Sequence, residues 1–531
     1  MLLRVNTNAE TSIRTFFIKV HVTHAFHISD NKIYKWFQSQ ASKANDILNL
    51  KHHRTEDAGL RAIWDDRKDD IEQIRTWLME SADTFIVIQG PRGSGKKELV
   101  LDQALSNRKN TLLIDCKAIQ EANGDSNTIG AAASEVGYRP VFSWMNSISS
   151  LIDLAAQGTI GTKTGFSETL DTQLAKIWQN TSTALRQIAL EDRHKDDKDA
   201  DLGDDEYLEA HPEKRAVVVV DNFLHKSQEG SIVYDKISEW AASLTTANVA
   251  HVIFLTNDVS FSKSLGKALP NRVFRTISLG DCSREVAKRF VINHLDADSE
   301  DPEGTGENLP PSKARQDLDQ LDDVISTLGG RLTDLEFLAR RIKTGETPTK
   351  AVTEIIDQSA SEILKMYILD IDKSRKWTVE QAWLLVKSLA EEESLRYNEL
   401  LLSDTYKNGG EATLQALEQA ELIAIVSSNG RPRSIKAGKP VYTAAFKKLT
   451  EDHVLKARLD LAILADLIKT ETKGIDACET ELHLLSKLPG QPAETRGRMR
   501  WLLEKLKGSQ EKVEAWERES GALKKVLRKE Y

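Results

Sequence analysis

The chain has 531 residues, of which 40% are apolar and 29% charged, and a net charge of -9. The length exceeds one ordinary core and implies about two to four domains. The acidic balance excludes a global electrostatic footprint for nucleic acid, so any such contact must rest on a local basic patch. Three widely separated cysteines, Cys116, Cys282 and Cys478, form no C-x-x-C pair, which argues against a zinc site or a disulfide framework.

Residues 1–60 read as an N-terminal segment. Its best apolar stretch, "TFFIKVHVTHAFHI", is broken by Lys19 and three histidines and falls short of the roughly 18 apolar residues of a span. Residues 1–14 carry Arg4, Glu10 and Arg14 without a continuous apolar run, so they are not a secretory signal. An import-sequence remnant, a foreign leader and a truncation point all fit them.

From 61 to 80, Ile63, Ile71, Ile74 and Leu78 recur at near-helical spacing. "TFIVIQG" (84–90) is short, β-branched and followed by glycines, as a buried parallel strand feeding a loop and helix should be. "TLLIDC" (111–116), "AVVVVDN" (216–222), "HVIFLTN" (251–257) and "VFRTISL" (273–279) repeat the type. Strands of this kind separated by helical stretches predict an α/β fold, a three-layer αβα sheet over 61–295. A long insert at 117–215 holds the helical stretches "VFSWMNSISSLIDLAAQ" and "SETLDTQLAKIWQNTSTALRQIALED". It ends in an acidic run, 191–215, with 11 acids against five bases, which reads as a solvated, mobile loop.

A linker and helical lid are expected over 296–375, opening with "DADSEDPEGTGENLPPSKARQD". Over 376–450, helices at "VEQAWLLVKSLA", "LRYNELLL" and "EATLQALEQA" precede two strands, "ELIAIVSS" and "KPVYTAAF", joined through Asn429-Gly430. That is the order of a winged-helix domain. Residues 451–531 read as a helical hairpin with breaks at Gly474 and "LPGQPAE". The tryptophans at 64, 144, 178, 240, 377 and 383 sit among helical apolar positions and read as core anchors.

The chemistry concentrates in "GPRGSGKKELV". Gly90, Gly95 and Lys96 fit the phosphate-loop pattern G-x-x-x-x-G-K-[ST], but Lys97 stands where the Mg²⁺-holding hydroxyl should follow. Backbone N–H groups in such a loop converge on phosphates while the lysine neutralises them. The expected nucleotide contacts are therefore Gly90, Pro91, Arg92, Gly93, Ser94, Gly95, Lys96, Lys97 and Glu98. Four valines running into Asp221 supply a carboxylate at a strand end, the expected Mg²⁺ ligand, read over a turn-capping role. The next residue is Asn222, whose amide can orient water but cannot take its proton. Asn257, ending the fourth strand, is expected near a γ-phosphate, and Arg331, opening a helix after the linker, is expected to reach the phosphates. Arg272 and Arg275 are candidates for a finger offered to a neighbouring subunit.

The order of loop, strand-end aspartate, polar strand end, "GGR" helix and winged helix resembles the AAA+ and related signal-transduction (STAND-like) ATPases. The wording "IQGPRGSGKKELVLDQAL", "VVVVDNF" and "LGGRLTDLEFLARRI" is similar to the carboxyl-terminal region of the fungal mitochondrial escape protein 2 family, from about Ile13 onward. The resemblance implies a protein of the mitochondrial inner membrane, with this region facing the intermembrane space and a role in maintaining mitochondrial DNA nucleoids. Members carry an RNA-recognition motif and one membrane span. This chain shows neither signature, so RNA binding is not transferred to any residue here and membrane attachment would need a span it lacks. "IRTFFIK" resembles the stretch just after that span, so residues 1–12 are expected to be foreign or altered.

Three functions compete. The first is an ATP- or ADP-binding module that assembles with itself, as a ring, with Mg²⁺ optional and hydrolysis weak or absent. The second is an active ATPase remodelling a protein or nucleoid client, with Glu98 or a neighbour's acid replacing the missing base. The third is a nucleic-acid binder. The presumed recognition helix "EATLQALEQAEL" has three acids and no base, which leaves only the wing residues Arg431, Arg433, Lys436 and Lys439 as a contact.

Overall fold

The computed structural model describes residues 57–108, 110–137, 170–191, 193, 201–224, 232–258, 260–296, 311–369, 375–407, 409–428, 431–488 and 493–529. Most of the N-terminal segment, the insert helix "VFSWMNSISSLIDLAAQ", Trp144, the start of the acidic run, most of the 296–317 linker and the Asn429-Gly430 turn lie outside them. The described residues form two compact units. One runs through Asp319 and takes in Gly330–Thr344; the other comprises Gln320–Gly329 and everything from Gly345 onward.

The first unit is built on five strands: β1 (Ile86–Gln89), β2 (Thr111–Asp115), β3 (Ala216–Phe223), β4 (Ala250–Thr256) and β5 (Arg275–Ser278). All pair in parallel, in the order β2-β3-β4-β1-β5. Side chains alternate between two buried faces, which is why these strands read as continuous apolar runs. Val217, Val219, Ile253 and Leu255 pack with Ile71, Ile74 and Leu99 on one face. Val218, Val220 and Phe254 pack with Leu185, Ile237 and Trp240 on the other. There Trp178 and Trp240 stack with centroids 5.0 Å apart, as core anchors.

Two local features differ from the periodicity. The 61–80 stretch is two helices, Asp57–Asp66 and Lys68–Leu78, broken at Arg67. The helix after the loop starts at Lys96 and continues as a π-helix over Leu99–Ala104, with Leu105 N donating to Val100 O at 2.9 Å. Such wide turns recur at functional sites.

The end of the acidic run is not a solvated loop. Asp204–Ala210 is helical, and Tyr207 and Leu208 pack against Ala189. Arg215, 1% exposed, donates to the carbonyls of Glu80 (2.8 Å) and Leu208 (3.0 Å). Two apolar side chains and a buried guanidinium outweigh the solvation of the surrounding charge. Beside Arg215, burial and the charges of Arg215, Arg108 and Arg275 push the His251 imidazole down to about 3.

In the second unit, helices Val379–Glu391, Tyr397–Leu402 and Gly410–Gln419 precede β7 (Ile423–Ser428) and β8 (Arg431–Ala437), the expected order of three helices and two strands, and a short β6 (Leu395–Arg396), absent from the expectation, lies between the first two helices. The sheet order is β6-β8-β7, antiparallel. "KPVYTAAF", expected as a strand, is instead the start of helix Pro440–Glu451. Pro440 occupies its first turn, and Val441, Tyr442, Ala445, Phe446 and Leu449 are buried at helical spacing. Gly474 likewise breaks nothing, since His453–Ser486 is one helix. It packs against Ala493–Lys529 in the expected hairpin, with Arg498 bridging to Glu481 at 2.7 and 3.0 Å. Asp460 ties this hairpin to the three-helix module, accepting from Trp383 Nε1 and Lys387 Nζ at 2.9 Å each. Among the described residues no helix is long and apolar enough to cross a membrane.

Candidate functional site

The C-terminal ends of parallel strands are where an open α/β sheet gathers ligand groups, and β1 leads there into the loop Gly90–Gly95. Gly93 (φ +74°) and Gly95 (φ +80°) occupy the left-handed region. A Cβ on Gly93 would stand 2.5 Å from Thr333 Oγ1, and one on Gly90 2.5 Å from the Leu279 carbonyl. Thr256 joins three strand ends: its carbonyl accepts from Gly90 N at 3.0 Å and its hydroxyl donates to Phe223 O at 2.8 Å. Lys96 Nζ donates to the Gly90 and Pro91 carbonyls at 2.7 Å each, so its ammonium bridges the loop. Ser94 is 1% exposed, and its Oγ has no hydrogen-bond partner. A buried hydroxyl without a partner is costly, and a phosphate oxygen would satisfy it. Pro91, Arg92, Lys97 and Glu98 are half-buried around the same turn.

Two arginines clamp this loop from outside. Arg67, placed by the break between the first two helices, donates from Nη1 to Ser94 O at 2.6 Å and from Nη2 to Gly280 O at 3.2 Å. Arg331, 3% exposed, pairs with Asp281 through Nε (2.5 Å) and Nη2 (3.4 Å) and donates from Nη1 to Arg92 O at 2.9 Å. Thr333 N adds a contact to Gly93 O at 3.4 Å. Helix Leu332–Lys343 is thereby bound to the loop's unit, and the 296–375 lid read in sequence as one segment is divided between the two units. Arg331, expected to reach phosphates, braces the loop's backbone through the Arg92 carbonyl.

Asp115 and Asp221 lie opposite each other at the ends of β2 and β3. A bulge follows Val220, and Asn222 takes φ +54°. Its amide Nδ2 donates to Asp115 Oδ1 at 2.8 Å, while its N–H donates to Asp221 Oδ1 at 2.8 Å. The side chain expected to orient water is thus tied to a neighbouring strand. Asp221 Oδ2 pairs with Lys97 Nζ at 3.3 Å. Mg²⁺ demands near-octahedral oxygen ligands at about 2.1 Å, and this donor set does not fit it: the usual hydroxyl is an ammonium, and that ammonium holds the carboxylate. Among the described residues no group of three or more His, Cys, Asp or Glu could hold a metal ion.

Asn257 follows the last residue of β4, half-buried. Arg275 lies at the opposite edge of the sheet, paired with Ile86, and is held by Glu80 (2.7 Å) and Asp83 (3.3 Å). Arg272, its side chain 56% exposed, stands 3.9 Å from Asp83. On the second unit, Arg431, Arg433 and Lys436 are exposed along β8, and Lys439 Nζ lies 5.3 Å from the Tyr442 ring centroid.

Arg67, Asp281 and Asp115 were not anticipated. Arg67 is hidden in "DDRKDD", which looks like a solvated charge run, and Asp281 in a loop without a motif. Asp115 did leave a signal, because "TLLID" ends on an aspartate as "VVVVD" does.

A family model described as RNA12 protein matches residues 67–488. The chain is 66% identical over 525 residues to Mitochondrial escape protein 2 of Phaeosphaeria nodorum, covering 98% of this chain and 63% of that protein. It is 59% identical over 522 residues to the protein of the same name from Aspergillus niger, covering 98% and 62%. The chain therefore spans somewhat over three-fifths of these relatives' length. Among solved structures it is similar to a Walker-type ATPase of Pyrococcus abyssi (TM-score 0.42, 12% identity, 72% of this chain and 95% of that one). It is also similar to the Aeropyrum pernix ORC1 protein in complex with DNA (TM-score 0.34, 12% identity, 74% and 94%). These two are distant, and the P-loop α/β assignment stands on the sheet order and the loop. With a family model matched across most of its length, the chain belongs to the RNA12 protein family.

Proposed function

We propose that the chain is a nucleotide-binding P-loop module in which ATP or ADP occupies the loop and hydrolysis is slow or absent. The carrying observation is the cradle itself: Gly90–Lys96 opens a helix, is braced by Arg67 and Arg331, and encloses the unpartnered Ser94 hydroxyl. Slow hydrolysis follows from the strand ends. No acid adjoins Asp221 in sequence, Asn222 is engaged by Asp115, and Asp221 is engaged by Lys97. The relatives' name supports a mitochondrial setting. An inner-membrane protein facing the intermembrane space, acting in mitochondrial DNA maintenance and assembling with itself, is the reading that the resemblance favours. Arg272 is then the better placed of the two finger candidates, because its side chain is 56% exposed, while that of Arg275 is 20% exposed and held by both Glu80 and Asp83. Equilibrium binding of labelled ATP to the wild type and to Lys96→Ala tests the reading, and equal binding by both sinks it. Steady-state turnover abolished by Asp221→Ala would replace the binding module with an active ATPase.

A second reading has one observation behind it, the exposed Arg431, Arg433 and Lys436 on β8. A salt-sensitive shift of labelled DNA, lost when these and Lys439 become Ala, would make that strand a nucleic-acid contact.

A further inference from the structure

The donor set that fails to fit Mg²⁺ has a positive use. Lys97 follows Lys96 directly, and its side chain crosses from the loop's helix to the end of β3, where Nζ lies 3.3 Å from Asp221 Oδ2. Asp221 is 13% exposed and Lys97 34%, so the pair is reachable from solvent on the lysine side. The carboxylate is oriented by its other oxygen, which accepts from Asn222 N at 2.8 Å. Asn222 in turn sits in the left-handed region, with its Nδ2 donating to Asp115 Oδ1. Both Asp221 oxygens are therefore used by donors of this chain, and a single positive charge stands between loop and strand where a dication would otherwise lie.

We propose that Lys97 is a tethered cation that replaces Mg²⁺, so that this chain binds metal-free nucleoside triphosphate and Mg²⁺ competes with binding instead of assisting it. The inference rests on the nucleotide reading above. Lys96 and Lys97 together offer two ammonium groups to the phosphates, and Asp221 positions the second. An Mg²⁺–nucleotide complex would bring its dication against the Lys97 ammonium, and like charges at contact distance repel. A metal on Asp221 Oδ2 would have to share that oxygen with the Lys97 ammonium or displace it.

The test uses the full chain and a fluorescent ATP analogue, titrated in EDTA and in excess MgCl₂, with Lys96→Ala as the site control. The wild type is expected to bind in EDTA at least as tightly as in Mg²⁺. Lys97→Ser restores the hydroxyl of the ordinary loop, and it should bind about 10- to 100-fold more weakly in EDTA and recover in Mg²⁺. A second readout is the free-ion resonance of Mn²⁺ mixed with ATP. By reciprocal linkage, wild-type protein should release Mn²⁺ from the nucleotide and raise the signal, while Lys97→Ser should lower it. Wild-type affinity that rises about tenfold or more with Mg²⁺, or a Lys97→Ser variant that matches the wild type in EDTA, overturns the proposal. Absence of Lys96-dependent binding under both conditions overturns the nucleotide reading itself, and the tethered-cation role falls with it.

Discussion

Replacing Arg331 with Met separates a structural brace from a phosphate contact. The side chain is 3% exposed, bonds Asp281 through two nitrogens and donates to the Arg92 carbonyl. Methionine preserves much of the stem but leaves that carbonyl without its donor, a loss of about 1–3 kcal/mol. It also strands Asp281. Because that carboxylate is 30% exposed, water recovers part of its charge, and the total falls below the roughly 3–5 kcal/mol of a fully buried pair. We expect about 2–4 kcal/mol, a drop of roughly 5–15 °C in the first unit's midpoint at the usual scaling for domains of this size. Denaturant unfolding, run beside ATP and ADP binding, is the assay. Asp281→Asn should lose less alone, and the double variant should lose less than the sum, with a coupling of about 1–3 kcal/mol. An Arg331→Met protein with unchanged stability that binds ATP or ADP more weakly than the wild type would refute the brace and make Arg331 a phosphate contact.

Three further outcomes follow from local geometry. Gly330→Ala would set a Cβ 1.9 Å from the Cys282 carbonyl, so the first unit should lose about 3 kcal/mol or more in denaturant unfolding; a loss under about 1 kcal/mol would mean the two backbones separate freely. Gly474→Ala places its Cβ in open space within a continuous helix and should stabilise the second unit by about 0.5–1 kcal/mol; no gain in its thermal midpoint would contradict this. For acid sensitivity, the His251 imidazole titrates near 3 when folded, against an ordinary value of 6.5. The unfolded chain therefore binds the extra proton between those values, and stability rises with pH across that window. Its contribution is complete above about pH 6.5 and reaches a loss of about 2–3 kcal/mol near pH 4.5. His251→Asn should remove that part of the slope in denaturant midpoints, and an unchanged slope would show that other groups carry it.

The fold was legible where physics is periodic. Buried parallel strands must be apolar on both faces, so "AVVVVDN" and "HVIFLTN" could scarcely be read otherwise, and β3 and β4 lie where those runs do. Errors fell where local propensity and helical spacing disagree. "KPVYTAAF" is rich in β-formers, yet Val441, Ala445 and Leu449 share one helical face, and burial of that face decides the matter. Gly474 costs the hairpin helix about 1 kcal/mol, less than burying the stripe through Leu464 and Cys478 returns, so the helix continues. The end of the acidic run was misread for the converse reason: charge dominates any average over the run, while Tyr207, Leu208 and Arg215 anchor the described end.

The site was legible only in its covalently local part. Gly93, Gly95 and Lys96 are adjacent in sequence because a phosphate cradle is one turn of backbone, and spacing alone reveals it. The braces are not local, since Arg67 reaches Ser94 across 27 residues and Arg331 reaches Arg92 across 239. No motif encodes a contact of that separation, and an arginine bound for a carbonyl looks in sequence like one bound for a phosphate. What distinguishes them is the partner: Arg331 is 3% exposed and bonds both Asp281 and the Arg92 carbonyl. The same logic runs the other way at Lys97. Its side chain is 34% exposed against 3% for Arg331, so pairing with Asp221 leaves the ammonium open to an anion arriving at the loop.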